Sequence, residues 1–480
     1  MMNDLRDFIK DVDQRGELRR VEDADWDLEI GSLTETVGAT PNPPMLLFDS
    51  IKGYPKGYRI VTSVLGTVRR FALAMGFPEM RSEREMVEYW RRRLKEGFKP
   101  LSPVVVETGP VQDNIERDEK IDLMKFPSPR WHVLDGGRYI GTGDAVVTRD
   151  PDDGWIDVGT FRVQVHDKNT ATIWISPGKD ADIIRRKYWV RGQACPAVVV
   201  PGLHPLLFFV AGMRLPWGKS EYDYAGGMRG RAVEVINGMT TGLPIPADAE
   251  IALEGEIVPP EVETRQEGPF GEWTGYYASS IKPVAAFRVK TVYHRNDPII
   301  LGCAPLMDYR ASYGGSLRRA ALLWNELEAI VPGVKGVWLL EEAKGTYMLV
   351  ISIKQMYPGH AKQVAMAAAS GLTAAYHGRF IIVVDDDIDP FNTAEVLWAM
   401  ATRCDPETQI DVVRGCWSTP LDPMISPEKR SQGNFTASRG LILACKPYHW
   451  IKEFPPSVEL TEEEKARILN KWKGIILEGS

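Results

Sequence analysis

The chain has 480 residues, 44% hydrophobic and 26% charged, which is the composition of a folded globular protein too long for one simple core. A formal net charge of -7 and the lack of a basic tract argue against a nucleic-acid partner. The five cysteines are dispersed without CxxC spacing, and the N-terminal stretch is charged with no apolar signal core. A disulfide framework and a zinc knuckle are therefore not expected, and a cytoplasmic setting is.

In chain order, residues 3–16 predict a helix capped by Asn3 or Asp4 and ended by Gly16, with Leu5, Phe8, Ile9 and Val12 on one face. From about residue 45 to 305, short β-rich runs alternate with Gly, Pro, Asp and Asn turns, as in a sheet-rich domain or barrel. A helical insertion is expected over Ser82–Glu96, with Met86, Trp90 and Leu94 sharing a face. The most apolar stretch, Ala197 to Gly212, is broken by Pro201, Gly202, His204 and Pro205, so it reads as buried strands and a turn and no membrane span is expected. Gly314-Gly315-Ser316 opens a strong helix with Ser316 as N-cap, ended by Pro332-Gly333, which reads as a link between domains. Beyond it, strands at Val337–Leu340, Met348–Ile353, Phe380–Val384 and Ile410–Val413 alternate with helices at Ala361–Tyr376 and Thr393–Arg403. Thr461 and Glu464 form a capping box for a last helix ending near Gly474, an arm able to dock on another domain or subunit.

The most informative local sequence is Glu267-Gly-Pro-Phe-Gly-Glu272, two carboxylates flanking a turn rich in glycine and proline. It is either an exposed acidic turn or, given Trp273, Tyr276 and Tyr277 beside it, part of a pocket whose paired acids have their pKa values pushed apart. Arg162 lies in an alternating strand and is either a surface arginine or an inward anchor for a carboxylate. The glycine-rich Gly136–Gly143 segment could approach a phosphate. Asp385-Asp386-Asp387 reads best as a solvated strand end. The seven histidines form no HxxxH pattern, and neither a GxSxG elbow nor a Walker loop is present. Trp155, Phe161, Trp273, Tyr276 and Met307 are candidates either for a flat apolar pocket or for the core.

Gln266-Glu-Gly-Pro-Phe-Gly-Glu-Trp-Thr-Gly275 is the most specific of several segments that together resemble the UbiD family of ferulate, phenolic-acid and polyprenyl-hydroxybenzoate decarboxylases. Ser220-Glu-Tyr-Asp-Tyr-Ala-Gly-Gly227, Leu243-Pro-Ile-Pro-Ala247, Asp385-Asp-Asp-Ile-Asp-Pro390 and Ala437-Ser-Arg439 add to it, so that the likeness spans nearly the whole chain. The fold this resemblance implies is α/β (α+β). It comprises an N-terminal prenylated-FMN-binding domain with a split β-barrel over residues 1–313, a linking helix over 314–333, a C-terminal α/β oligomerisation domain over 334–455 and a helical arm over 456–480.

The implied reaction is reversible, non-oxidative decarboxylation of an α,β-unsaturated, aromatic or heteroaromatic acid through a covalent adduct with prenylated FMN. The cofactor provides the electron sink that side chains lack. The resemblance places the catalytic network on Arg162, Glu267 and Glu272, with Glu272 as proton donor. It places cofactor contacts on Thr142, Thr160, Phe161, Arg162 and Arg439, the last at the flavin phosphate. It places a Mn2+ or Mg2+ ion on Asp157, Asp180 and Glu234, with K+ nearby. Asp157 and Asp180 stand where Asn and His are usual, and Phe161 where Tyr is frequent. The implied partners are a small carboxylic acid, CO2, a separate flavin prenyltransferase and further copies of the chain in a homodimer or homohexamer. The alternative is an accessory, non-catalytic subunit of a multi-subunit aromatic carboxylase, favoured by the altered metal positions and opposed by the intact Arg162, Glu267 and Glu272.

Overall fold

The computed structural model describes residues 4–213, 215–278, 280–305, 313–371, 373–376, 378–458 and 460–476. The first helix runs Leu5–Gln14, with the Asp4 carboxylate accepting the Asp7 N–H at 2.8 Å and Leu5, Phe8, Ile9 and Val12 buried. This apolar face joins the core of a four-stranded sheet in the order Leu18–Val21, Met45–Phe48, Arg59–Thr62 and Ile299–Gly302. The insertion helix is Glu83–Glu96, where the Ser82 hydroxyl accepts the Glu85 N–H and Met86 and Trp90 are buried.

A ten-stranded antiparallel sheet forms the centre. Its path is Arg138–Gly141, Arg162–Val165, Thr170–Trp174, Lys282–His294, Ile251–Ile257, Cys195–Gly202, Ala145–Arg149 and Ile156–Gly159. Asn114–Arg117 and Thr264–Glu267 pair with the long Lys282–His294 strand. Successive side chains point to opposite faces, so Val147, Val158, Val198 and Val200 enter one core while Val146, Val163, Val199 and Leu253 enter another. Strand Ile156–Gly159 lies at one end of this path and Arg162–Val165 next to the other, yet only Thr160 and Phe161 separate them in the chain. Three Cα steps reach at most about 11 Å, so the sheet must curl until its ends face one another. The two end strands are not paired with each other, which leaves a barrel split along a gap bridged by Thr160–Phe161.

The helix expected to begin at Ser316 runs Tyr313–Glu328. Ser316 therefore lies inside its first turn rather than capping it, and its hydroxyl bonds the Gly345 carbonyl at 3.4 Å. Leu317, Ala320, Ala321, Trp324 and Leu327 are buried against the five-stranded C-terminal sheet and the insertion helix. That sheet has the order Val334–Leu339, Met348–Ile353, Phe380–Asp385, Thr436–Ala444 and Ile410–Trp417. The helix expected to reach Tyr376 stops at Ser370. The aspartate run is not a free solvated end, because Arg403 bonds both Asp385 and Asp387 and Lys446 bonds Asp387 at 2.6 Å. The arm helix, Glu462–Ile476, carries the expected Thr461–Glu464 capping box. All five cysteines are free thiols, and no helix among the described residues is long and apolar enough to cross a membrane.

Candidate active site

The Thr264–Glu267 strand ends where Glu267 stands opposite Lys282, and the chain then turns at Gly268 with φ of +83°, a conformation that favours glycine. The 132–136 loop braces this turn. Gly136 N–H donates to the Pro269 carbonyl at 2.8 Å, and Gly271 N–H donates to Asp135 Oδ1 at 2.9 Å. A Cβ on Gly136 would lie 1.9 Å from the Gly268 carbonyl oxygen, so only glycine permits this approach. Gly136 thus packs the turn, and a phosphate role for the glycine-rich segment is not what this contact serves.

The braced turn delivers both glutamates to Arg162. Arg162 Nε donates to Glu267 Oε1 at 2.7 Å and Nη2 to Glu267 Oε2 at 2.9 Å, a two-point clamp, while Nη1 bonds Glu272 Oε1. Relative exposures are 9% for Arg162, 1% for Glu267 and 7% for Glu272, so Arg162 points inward and the acidic turn is buried. The guanidinium carbon sits 5.1 Å from the Phe270 ring and 5.5 Å from the Trp174 ring. Burial works against the guanidinium charge, but the Glu267 bonds and the Glu272 charge outweigh it and raise its pKa further. Tyr139 completes the network, its hydroxyl 3.4 Å from Glu267 and 3.2 Å from Gln164, and burial raises its pKa well above the usual phenol range. Lys282 Nζ lies 3.1 Å from the Trp174 ring centre; burial, then the Arg162 charge, push it down to about 8. Arg430 of the C-terminal domain donates to the Ala278 carbonyl at 3.2 Å, and Trp273 packs on Tyr347 at 5.4 Å, so the C-terminal domain also touches the segment that carries the acidic turn.

A second constellation lies at the split. Thr160 donates to Asp144 Oδ1 at 3.2 Å, and Asp144 Oδ2 is buried with no hydrogen-bond partner. Burial pushes the Asp144 carboxyl up to about 8. Asp157 is buried and pushed up to about 7 by burial, with the Asp180 charge adding to it. Glu221 is buried, accepts the Val158 N–H at 2.9 Å, and is pushed up to about 8 by burial and then by Asp157. Glu234 is elsewhere, about half exposed and bonded to Arg231 at 2.6 Å. The third carboxylate facing Asp157 and Asp180 is therefore Glu221, the acid inside the Ser220–Gly227 segment. Among the described residues, no three His, Cys, Asp or Glu side chains converge tightly enough to form a metal ligand set as they stand.

Arg439 is also corrected. It is buried at 3% exposure, and its guanidinium donates to the carbonyls of Ala369, Ala374, Ala375 and Trp417. It closes the end of the Ser370 helix instead of presenting donors to a phosphate. The Thr142 hydroxyl accepts the Cys303 N–H at 3.0 Å. Phe161 is half-buried at the split, Trp155 packs on Trp217, and Tyr276 is 60% exposed. Met307 lies outside the described residues. Gln164 follows from alternation, which puts it on the same strand face as Arg162, whereas Tyr139, Asp144 and Lys282 escape sequence reasoning because cross-strand register brings them in. Glu221 was within reach, since it lies in the Ser220–Gly227 segment that carries part of the family resemblance.

The chain has relatives among known proteins. Residues 103–307 match the family model described as the 3-octaprenyl-4-hydroxybenzoate carboxy-lyase Rift-related domain. Residues 9–90 and 312–444 match the N-terminal and C-terminal domains of the same carboxy-lyase. A pyrrole-2-carboxylic acid decarboxylase of Pseudomonas aeruginosa is 32% identical over 447 residues, covering 90% of this chain and 89% of that one. A phenolic acid decarboxylase of a Streptomyces species is 31% identical over 448 residues, covering 88% and 89%. Among solved structures, the UbiD-class enzyme HmfF from Pelotomaculum thermopropionicum in complex with FMN superposes with a TM-score of 0.85 at 29% identity, covering 97% of this chain and 99% of that one. With the Arg162–Glu267–Glu272 network and a split antiparallel barrel already in view, these matches establish that the chain belongs to the UbiD family of carboxy-lyases.

Proposed function

We propose that the protein removes CO2 from an aromatic or heteroaromatic carboxylic acid with prenylated FMN bound at the split of the barrel, beside Arg162, Glu267 and Glu272. The observation that carries this reading is the buried arginine shared by two buried glutamates. Glu267 is clamped through both oxygens and touched by Tyr139, which suits it to position the guanidinium. Glu272 meets Arg162 through Nη1, away from the edge of the guanidinium that Glu267 clamps, and is the carboxyl we assign as the proton donor. The cofactor would supply the electron sink for the carbon that loses CO2. The low exposure of all three side chains keeps water from the reacting carbon, and Arg162 orients the departing carboxylate.

The split carries buried polar groups that such a cofactor and a divalent cation would satisfy once the carboxylates draw together around the ion. Asp157 and Glu221 are buried acids, the Asp180 charge acts on both and the Asp157 charge acts on Glu221, and Asp144 Oδ2, the Ser220 hydroxyl and Trp155 Nε1 are buried without partners. A hard cation held by Asp157, Asp180 and Glu221 would relieve that repulsion, and an all-oxygen donor set suits Mn2+ or Mg2+. The test is purification after co-expression with a flavin prenyltransferase, followed by a visible spectrum, intact mass of the released flavin and elemental analysis. The expected result is a coloured protein carrying prenylated FMN with Mn2+ or Mg2+ and K+. A colourless, metal-free protein that still decarboxylates would refute the cofactor assignment, and a flavin-free, inactive one would favour the accessory-subunit reading.

A homo-oligomer is part of the same proposal. The edge strand Ile410–Trp417 exposes Val412, Val413 and Trp417, and the arm helix exposes Leu469 and Trp472. Light scattering at micromolar concentration is expected to report at least a dimer that Trp417→Glu or Leu469→Glu weakens. A wild-type monomer would remove this part of the proposal.

A further inference from the structure

Decarboxylation consumes one proton for each CO2 released, so a donor that gives its proton to carbon must be recharged from water in every cycle. Arg162, Glu267 and Glu272, at 9%, 1% and 7% exposure, have little direct contact with water. Burial and the surrounding charges make Arg162 and Tyr139 hold their own protons more tightly than usual, and Glu267 has both oxygens on Arg162. The proton for Glu272 must enter through another group.

Strand register supplies one. Lys282 stands directly opposite Glu267 across the antiparallel pair, so the two side chains leave the sheet on the same face. Trp174 stands opposite Arg162 in the same way, and its one indole ring carries both cations, with Lys282 Nζ 3.1 Å and the Arg162 guanidinium carbon 5.5 Å from its centre. Among the described residues Lys282 makes no hydrogen bond or ion pair, even with its cross-strand neighbour Glu267, whose two oxygens Arg162 already holds. It is also more open to water than the other three side chains: Lys282 is only partly buried, Ile281 before it is 60% exposed and Pro283 after it is exposed.

The charged groups acting on the ammonium are Arg162 and Arg430, which disfavour its charge, and Glu267 and Glu272, which favour it. With burial as the largest influence, they leave Lys282 at about 8. Charge balance in a dry site ties its proton to Glu272. Arg162 and Glu267 cancel, which leaves Lys282 and Glu272. With one proton between them the set is neutral, whether as ammonium and carboxylate or as amine and carboxylic acid. A bound substrate carboxylate adds one negative charge, and one further proton from water restores neutrality, so that both Lys282 and Glu272 are protonated when CO2 leaves. Protonation of the carbon by Glu272 then returns the set to ammonium and carboxylate.

We propose that Lys282 is the proton entry of this network, a positioning residue that takes a proton from water and passes it to Glu272 in each turnover. This rests on the decarboxylase reading above. In the step, an N–H bond of Lys282 breaks, an O–H bond of Glu272 forms, and the amine takes a new proton from water. Summed with the reaction, one carboxylate and one proton give CO2 and the C–H product. The four-carbon stem of lysine provides the reach, and its three rotatable donors let it turn from water to the carboxylate.

The experiment compares the wild type with Lys282→Met and Lys282→Arg, each co-expressed with a flavin prenyltransferase, with circular dichroism to confirm the fold. Rapid mixing at saturating acid follows the first and later turnovers of pyrrole-2-carboxylate or 4-hydroxybenzoate, whichever the wild type converts. In Lys282→Met the first turnover is expected at the wild-type rate, because it uses the proton already on Glu272. Its steady state is expected to slow about 100-fold, the lower end for loss of a proton-transfer group. Lys282→Arg is expected to be as slow in the steady state, since a guanidinium keeps the charge and the contact with Trp174 but does not release its proton. A wild-type steady state in either variant, or a first turnover in Lys282→Met slowed as much as the later ones, would overturn the proposal.

A second readout needs no cofactor. Acetic anhydride labelling of the flavin-free protein across pH, read by peptide mass, gives the midpoint at which Lys282 loses its proton. That midpoint is expected near 8 in the wild type and about one pH unit lower in Glu272→Gln, where a charge that favours the ammonium is gone. Equal midpoints in the two proteins overturn the proposal, even if the Lys282 variants do not fold. A wild type that converts neither acid would defeat the decarboxylase reading instead, and the midpoints would still decide whether Lys282 and Glu272 titrate together.

Discussion

Glu272→Gln is expected to lower turnover by about 100- to 10,000-fold, the usual effect of removing a positioned proton donor, without unfolding the protein. The substitution keeps the volume of the side chain and keeps an oxygen able to accept the Arg162 Nη1 bond, so packing against the catalytic turn survives. On the proposed mechanism, what disappears is the carboxyl that hands its proton to the carbon that has lost CO2. Proton exchange at the same carbon of the product must slow in parallel, because exchange in D2O passes through the same donor. Glu267→Gln is expected to harm turnover by a different route, since it halves the charge that Arg162 clasps and loosens the clamp. The measurement is decarboxylation alongside H/D exchange of a product analogue, with the flavin absorbance recorded to show that the cofactor stays bound. Wild-type exchange in Glu272→Gln would mean that the proton comes from another group, with Lys282 the next to examine because burial brings it to about 8.

Arg162→Met is expected to destabilise the fold by about 3–5 kcal/mol as well as to abolish turnover, because breaking a buried ion pair strands the remaining charge. Glu267 and Glu272 would then lie together, 1% and 7% exposed, without the guanidinium whose charge and hydrogen bonds they share. Two rings, Phe270 and Trp174, flank the site and leave little room for water to take its place. The companion variant combines Arg162→Met with Glu267→Gln and Glu272→Gln. It is expected to recover much of the lost stability and none of the activity, since a neutral triad carries no stranded charge. Urea denaturation of the three proteins measures this directly. An Arg162→Met midpoint equal to that of the wild type would mean that the two carboxylates are hydrated in the folded state and that the triad is not the dry network its geometry describes.

Local chemistry makes much of this protein legible in its sequence. Asp4, Ser82 and the Thr461–Glu464 pair cap helices where expected, because a cap depends only on residues a few positions apart. Glu267 and Glu272 meet Arg162 as the resemblance implies, since the turn between them is a property of six consecutive residues. Ser316 shows where local signals give out: its cap position is chemically reasonable, but the helix already runs from Tyr313 and the hydroxyl bonds the Gly345 carbonyl, 29 residues away.

The alternation that builds two cores, the caps, the acidic turn and the family are all written in the order of the residues. Which carboxylate faces Asp157 and Asp180 is decided by the tertiary arrangement alone. Glu221 and Glu234 are both acids a few residues from glycines in the chain, but strand register and helix placement bury one and leave the other on the surface with Arg231. The same holds for Arg439, whose guanidinium is claimed by carbonyls from segments 22 to 70 residues away. The partner of a long polar side chain is set by what the fold carries to within about 3 Å of its tip, and no pattern of near neighbours in the chain contains that distance.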